Sequence, residues 1–359
     1  MDNNDIAIIR LHNQQITAQK FTTPKQLVSW MGALQAQDYA MSKWAIGVRT
    51  PGSTEQEIEN ALNRGELIRT HLLRPTWHIV SAEDIYWLLA LTAPRIINSM
   101  KTRNNELELS ESILMKSIAL ISRALEKENH LTREELVAEL KRANIATENN
   151  RASHIFFHAE LEGIICNGLK KDKKLTYTLL SERVPKAKKL TREEALEKIA
   201  QKYFLSHGPA SLKDFVWWAG LTVRDARDAL DSIKSHLVSE EIESERYWFA
   251  DSGSIPGMGH PFVYLLPAYD EFIISYKTKS AALSLLHHRK AVSVNGIFRP
   301  ILVINGQIGG LWRRTIKKEK VLIEVNLFQE VSKVIKKSIE QRADEFGSFL
   351  NKEPEITYL

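Results

Sequence analysis

The chain has 359 residues, 43% of them hydrophobic and 26% charged, with a formal net charge of +5 and a pI near 9.0. That balance excludes a disordered chain and leaves room for two or three domains, since one core seldom extends past roughly 250 residues. The polar start Met1-Asp2-Asn3-Asn4-Asp5 carries no secretory pattern, and no run reaches the roughly 20 apolar residues of a membrane span. The chain reads as cytoplasmic, with no membrane partner. Cys166 is the only cysteine, so an intramolecular disulfide is impossible. In the apolar run Gly163-Ile164-Ile165-Cys166 its thiol reads as buried strand filler. Neither CxxC nor HExxH occurs, so no metal is implied.

Hydrophobic periodicity predicts three copies of an order in which three helices precede two short strands. The first copy has helices over 6–17, from Thr23 and Pro24 to about Gln37, and over 54–64, then strands over 67–71 and 76–80. Near the end of its second helix stand Gln35 and Gln37. Residues two apart on a regular helix diverge by roughly 200°. Both glutamines therefore reach one site only if the helix ends or distorts there, which Asp38-Tyr39-Ala40 permits, and a helix terminus is expected.

The second copy starts with a helix over 110–128, continues at Thr132 and Glu135 with capping-box spacing, and adds a helix over 151–162. Its strands, 164–168 and 175–179, are joined by a turn carrying Lys170, Lys171, Lys173 and Lys174. In the third copy Thr191 and Glu194 open a helix over 193–206. Ser211, supported by Asp214, opens 211–219, a helix over 222–233 follows, and strands lie near 237–242 and 247–250. This is winged-helix order, in which the third helix faces a nucleic-acid groove and the hairpin acts as a wing. After Ile255-Pro256-Gly257 the pattern turns to strands over 263–266, 291–294, 299–304, 307–312 and 320–325, with a hairpin signal at Asn305-Gly306 and a final helix over about 329–345. The expected fold class is α+β, mainly α: three tandem winged-helix motifs (1–105, 106–186, 187–255) and a C-terminal β-rich unit with a final helix (256–359).

Positive charge is concentrated. Residues 169–192 hold nine Lys/Arg against two Asp/Glu, and residues 297–320 hold six against Glu319 alone. A polyanion site requires such clustering, although a solvated lysine-rich loop explains Lys170–Lys174 equally well. Arg313, Arg314, Lys317 and Lys318 are the better candidates for contact with a DNA backbone. His71 and His78 lack a third ligand for a metal, and His78, with Thr76 beside it on the strand, reads as a phosphate contact or a brace for the glutamines, with structural packing an equal alternative for either histidine. Trp77, Trp217, Trp218, Trp248 and Trp312 read first as core. For the acidic pair Asp270-Glu271 an internal ion pair, for instance with Lys277 or Arg289, is favoured over a glycosidase arrangement.

Four segments together, Gly32-Ala33-Leu34-Gln35-Ala36-Gln37-Asp38, Arg69-Thr70-His71-Leu72-Leu73-Arg74-Pro75-Thr76-Trp77-His78, Leu266-Pro267-Ala268-Tyr269-Asp270-Glu271 and Gly309-Gly310-Leu311-Trp312-Arg313-Arg314, carry a resemblance over nearly the full length. The chain resembles the winged-helix DNA-binding domain-containing family that includes the azinomycin-resistance, AlkZ-like DNA glycosylases. The resemblance implies a monofunctional DNA glycosylase with three tandem winged helices around a concave DNA channel. The family's Gln-Φ-Gln catalytic motif falls on Gln35, Ala36 and Gln37, with Asp38 as orienter or cap and Thr76 and His78 as site support. It also implies alkylated double-stranded DNA as partner, no cofactor, a monomer, and a nucleoid-associated location. A neutral amide is a poor general base, so the expected substrate is an N7-alkylated, possibly crosslinked, purine whose base already leaves well. Two other readings stay open: a noncatalytic winged-helix regulator that binds undamaged DNA, and a protein-interaction scaffold.

Overall fold

Asp2 opens the first helix, Asn3–Asn13, through a reciprocal capping box with Asp5. Thr23 caps the second, Pro24–Met31, which stops well before Gln37. It stops because Gly32 takes φ 78° and ψ −53°, a backbone that side chains rarely adopt. A Cβ there would also meet Lys202 Cβ at 3.3 Å. The chain leaves this turn as a two-residue strand, Leu34–Gln35, and enters an unanticipated helix, Tyr39–Gly47. The helix terminus expected at the glutamines is thus replaced by a short strand at Gln35 and a bend at Gln37. Glu55–Asn63 is the next helix.

The computed structural model describes residues 1–186, 189–251 and 261–359. The Ile255-Pro256-Gly257 boundary signal and Lys188 lie outside the described residues. Two compact units form: Met1–Glu59 with Leu196–Leu359, and Asn60–Ala195. Among the described residues no helix is long and apolar enough to cross a membrane.

The Asn60–Ala195 unit begins with an antiparallel hairpin, Leu67–Leu72 against Thr76–Ser81, in register with Thr70 opposite His78. A helix absent from the sequence reading, Ile85–Glu106, follows and carries Pro94 in its interior. Then come Glu111–Leu125, the strand Leu131–Thr132, helices Arg133–Arg142 and Arg151–Leu161, and strands Ile165–Asn167 and Thr176–Leu179. Thr176–Leu179 is the central strand, antiparallel to both neighbours. Ile121, Leu125, Leu136, Leu140, Ile155 and Ile165 are fully buried in the core of this set. Truncating any of these leucines or isoleucines to alanine costs about 2–5 kcal/mol.

The same order returns in the other unit. Helix Arg192–His207 leads to strand Ala210–Ser211, helices Leu212–Ala219 and Val223–Ile233, and strands Val238–Ile242 and Glu245–Phe249. Glu245–Phe249 is central. In both sets a two-residue strand precedes the second helix, an element missing from the expected helix, helix, helix, strand, strand order.

The C-terminal sheet has five strands in spatial and chain order: Val263–Leu266, Ile301–Ile304, Gln307–Ile316, Lys320–Leu327 and Glu353–Tyr358. All pair antiparallel except the last, which runs parallel to Lys320–Leu327 and was not foreseen. Asn305 and Gly306 both take positive φ, 50° and 86°, as a two-residue hairpin of this kind requires. The strand expected over 291–294 does not form: Ala291 ends a short helix, His288–Ala291, and Val292 makes one isolated bridge to Phe298. The last helix, Lys333–Leu350, sends Phe346 and Phe349 against Trp44, with ring centroids 5.0 Å apart in each case. Gly47 permits this approach, since a Cβ there would lie 2.5 Å from the Phe349 ring. The indole N–H groups of Trp44 and Trp312 donate to the Leu265 and Leu266 carbonyls at 2.7 Å, which fixes the strand leading into Pro267–Glu271.

Candidate active site

Gln35 belongs to the strand Leu34–Gln35, and Asp38 is again extended, at φ −94° and ψ 104°. Neither glutamine stands on a helix, Gln35 lying in the strand and Gln37 in the bend after it, so the divergence of roughly 200° on a regular helix does not apply. Their surroundings differ nonetheless: Gln35 is 6% exposed, while Gln37 faces solvent. The pair consists of one embedded amide and one accessible amide.

The embedded end is held by the Tyr269-Asp270-Glu271 corner. The Gln35 backbone N–H donates to Glu271 Oε1 at 2.6 Å, and the Ser275 hydroxyl donates to Glu271 Oε2. Glu271 is 1% exposed. His207 Nε2 lies 3.7 Å from the same Oε2. Burial holds the His207 imidazole below its usual pKa, against the opposing pull of Glu271. Asp270 pairs with Arg49 through two bonds of 2.8 Å, and both side chains are fully buried. Arg49 also donates to Gln14 and to the Ala45 carbonyl. The acidic pair therefore does make an internal ion pair, but with Arg49 rather than Lys277 or Arg289. Tyr269 precedes it at φ 58°, a conformation costly for a bulky residue and characteristic of functional corners.

The accessible end is held by Asp38. Its Oδ1 accepts from the Met41 N–H at 3.0 Å, capping Tyr39–Gly47, and lies 3.8 Å from an Arg314 nitrogen. Burial pulls the Arg314 guanidinium below its ordinary pKa, opposed by Asp38 and Glu55. Burial and the Asp38 charge push the Tyr269 phenol up. Gln35, Gln37, Asp38, Arg314 and Glu271 thus share one neighbourhood. Arg313, one residue away on the strand, points to the other face and pairs with Glu324 at 2.7 and 2.5 Å. Lys317 and Lys318 are exposed in the turn after that strand.

Thr76 and His78 lie in the Asn60–Ala195 unit. His78 is 1% exposed and its Nδ1 bonds the Thr76 carbonyl at 2.9 Å, which leaves it no open face for a phosphate. His71, partly exposed on the same hairpin, meets the fully buried Glu160 and the tilted rings of Trp77 and Phe157 at centroid distances of 4.0 and 4.3 Å. The Arg69 guanidinium lies over the Trp77 ring at 3.9 Å. Burial pushes the Glu160 carboxyl up, opposed by His71 and Arg69. Lys170, Lys171, Lys173 and Lys174 are all exposed, with Lys171 and Lys174 3.5 and 3.8 Å from Glu135 and Glu134. Cys166 is buried, and burial lifts its thiol to about 12, so it stays protonated. Trp218 and Trp312, at 1% and 3% exposure, are core.

Sequence reasoning missed Glu271 as the partner of Gln35 and Glu160 as the partner of His71. In each case the two residues are far apart in the chain, by 236 and 89 positions, and no local spacing joins them.

Over residues 28–349 the chain matches the family model described as AlkZ-like, DNA glycosylase AlkZ-like. Its fold is similar to that of Streptomyces sahachiroi DNA glycosylase AlkZ, at a TM-score of 0.83 and 16% identity, with 99% of each chain covered. No curated protein sequence matches the chain.

Proposed function

Since the chain belongs to the AlkZ-like DNA glycosylase family and is a DNA glycosylase, we propose that it hydrolyses the N-glycosidic bond of N7-alkylated purines, including crosslinked ones, in double-stranded DNA. The observation that supports this is the engagement of the three carboxylates described beside the glutamines. Asp38 caps a helix and faces Arg314, Asp270 is bound to Arg49, and Glu271 holds the Gln35 N–H and Ser275. An amide is left to handle the water. Gln37, accessible, accepts a hydrogen bond from that water and orients it at C1′, while Gln35, anchored through its backbone, supports oxocarbenium character at the sugar.

An N7-alkylated guanine is already cationic. Its C1′–N9 bond breaks with both electrons going to the base, which neutralises the positive charge. Water adds to C1′ and releases its proton to solvent, leaving free base and an abasic site. No strong base and no cofactor enter this scheme. An unmodified purine lacks the charge and survives.

The proposed architecture is three winged helices lining a DNA channel, with domain limits at 1–105, 106–186, 187–255 and 256–359. In it Lys170, Lys171, Lys173 and Lys174 form one wing and Arg313, Arg314, Lys317 and Lys318 a second backbone contact, with Thr76 and His78 as structural support. The protein acts as a monomer in the cytoplasm, at the nucleoid. Release of 7-methylguanine from methylated duplex by the wild-type protein tests the reading. A protein inert on every N7-alkylated duplex yet tightly bound to undamaged DNA would identify a regulator instead.

A further inference from the structure

From Phe272 to Lys318 the chain carries nine Lys/Arg and no Asp or Glu. The same stretch holds five of the eleven large hydrophobic side chains that stand exposed among the described residues. Leu285 and Leu286 are adjacent among them, at 86% and 87% exposure on one 3-10 turn, Leu285–His287. Two adjacent leucines in water are unfavourable for a free monomer, and the basic, acid-free stretch that carries them favours a polyanionic partner.

The turn is braced. Ala281, Ala282 and Leu283 are buried immediately before it, and Ser284 caps it by accepting from the Leu286 N–H at 3.4 Å. His287 meets Phe328 in a tilted contact at 4.3 Å, and the Lys290 ammonium lies over that ring at 5.0 Å. Arg289, Lys290 and Arg299, in the segment that follows the leucines, are exposed, and the Arg299 backbone N–H is tied back to the Ala291 carbonyl at 3.0 Å. Phe298, beside Arg299, meets Tyr269 at 6.1 Å, so the braced segment is continuous with the corner that holds Gln35.

We propose that Leu285 and Leu286 form an apolar wedge that enters the base stack of duplex DNA, with Arg289, Lys290 and Arg299 seated on the flanking phosphates. Apolar side chains wedged between base steps unstack them and kink the duplex. Unstacking lowers the cost of exposing a damaged nucleotide to the glutamines. This inference rests on the reading that the protein acts on duplex DNA.

The test uses the full chain and a duplex carrying 2-aminopurine beside an abasic analogue, so that it does not depend on turnover. Wild-type protein should raise the 2-aminopurine fluorescence. The double variant Leu285→Ser/Leu286→Ser should lose that rise and bind the duplex at least tenfold more weakly, with an unchanged melting temperature. Leu285→Met/Leu286→Met should restore both. A serine variant that retains the full signal overturns the proposal. So does loss of binding to anionic phosphatidylserine vesicles with the DNA signal intact, because the leucines would then serve a lipid surface. Failure to release 7-methylguanine with the wedge signal present would sink the substrate reading alone.

Discussion

The three places where a helix hands over to a short strand and then to a second helix differ in one respect. At Leu131–Thr132 and Ala210–Ser211 the last strand residue is itself the N-cap of the next helix, closed by a reciprocal box with Glu135 or Asp214. At Leu34–Gln35 the strand ends earlier, Ala36 and Gln37 intervene, and the cap falls on Asp38. Three residues later stands Met41 in place of an acid, so no box closes. Thr132 and Ser211 are buried, whereas Gln37 faces solvent. In two copies the junction is sealed by its own hydrogen bonds. In the first it is opened by inserted residues and held from outside by Glu271 and Arg314. The same local architecture is stabilising in two copies and displays an amide in the third.

The largest expected effect separates these roles. Gln37→Ala should lower single-turnover release of 7-methylguanine about 10²–10³-fold, the size typical of losing one preorganised hydrogen-bonding group at a reacting centre. Its melting temperature should hold, since the side chain is exposed. Thr132→Ala and Ser211→Ala should do the reverse, costing about 1 kcal/mol of stability each and leaving the rate unchanged. Equal rate losses in all three variants would show that the first junction is only another cap.

A smaller effect tests how the open junction is held. Glu271→Ala leaves the Gln35 N–H and the Ser275 hydroxyl without their acceptor, a cost of about 1–3 kcal/mol for each buried group. The rate should also fall, by roughly ten- to a hundredfold, because a shift on the order of 1 Å in a positioned group is enough for that. The loss should appear in kcat rather than KM. Glu271→Gln keeps an acceptor oxygen for Gln35 and should recover most of it. Loss of stability with kcat intact would make Glu271 a purely structural residue, as Asp270 is through Arg49.

The two sealed junctions were more legible in the sequence than the open one. The capping boxes at Thr132 and Ser211 and the hairpin over 67–81 follow from local spacing, and the structure places them within a residue or so of the reading. Asn305-Gly306 likewise declares its own turn. Two-residue strands carry no periodicity, so all three were invisible. Ile85–Glu106 was obscured by Pro94, which ordinarily ends a helix. Glu353–Tyr358 was missed because an edge strand with charged and intermediate positions has no apolar face to reveal it. At the site, the glutamines were legible as residue types, but the strand geometry of Gln35 depends on Gly32 and on an acceptor 236 positions away.

Acid should weaken the framework behind the open junction in a way that isolates His207. Burial holds its pKa below the usual 6.5 despite Glu271. As pH falls through about 6.5, the unfolded chain takes up a proton there and the folded chain does not, so stability is complete above that value and declines below it until the folded pKa is reached. His12 in the same unit is shifted the same way by burial. In the Asn60–Ala195 unit His130, His154 and His158 are lowered too. There, however, Glu160 and Glu162 are raised, binding protons more tightly when folded and working in the opposite sense. Melting temperature should therefore be flat from pH 8 to 7 and fall toward pH 5. His207→Asn should flatten that slope even though it lowers the melting temperature by disturbing the Tyr203 and Trp218 stack. The slope is the discriminating quantity. If it survives the substitution, the acid response belongs to the other histidines and not to the framework behind Gln35.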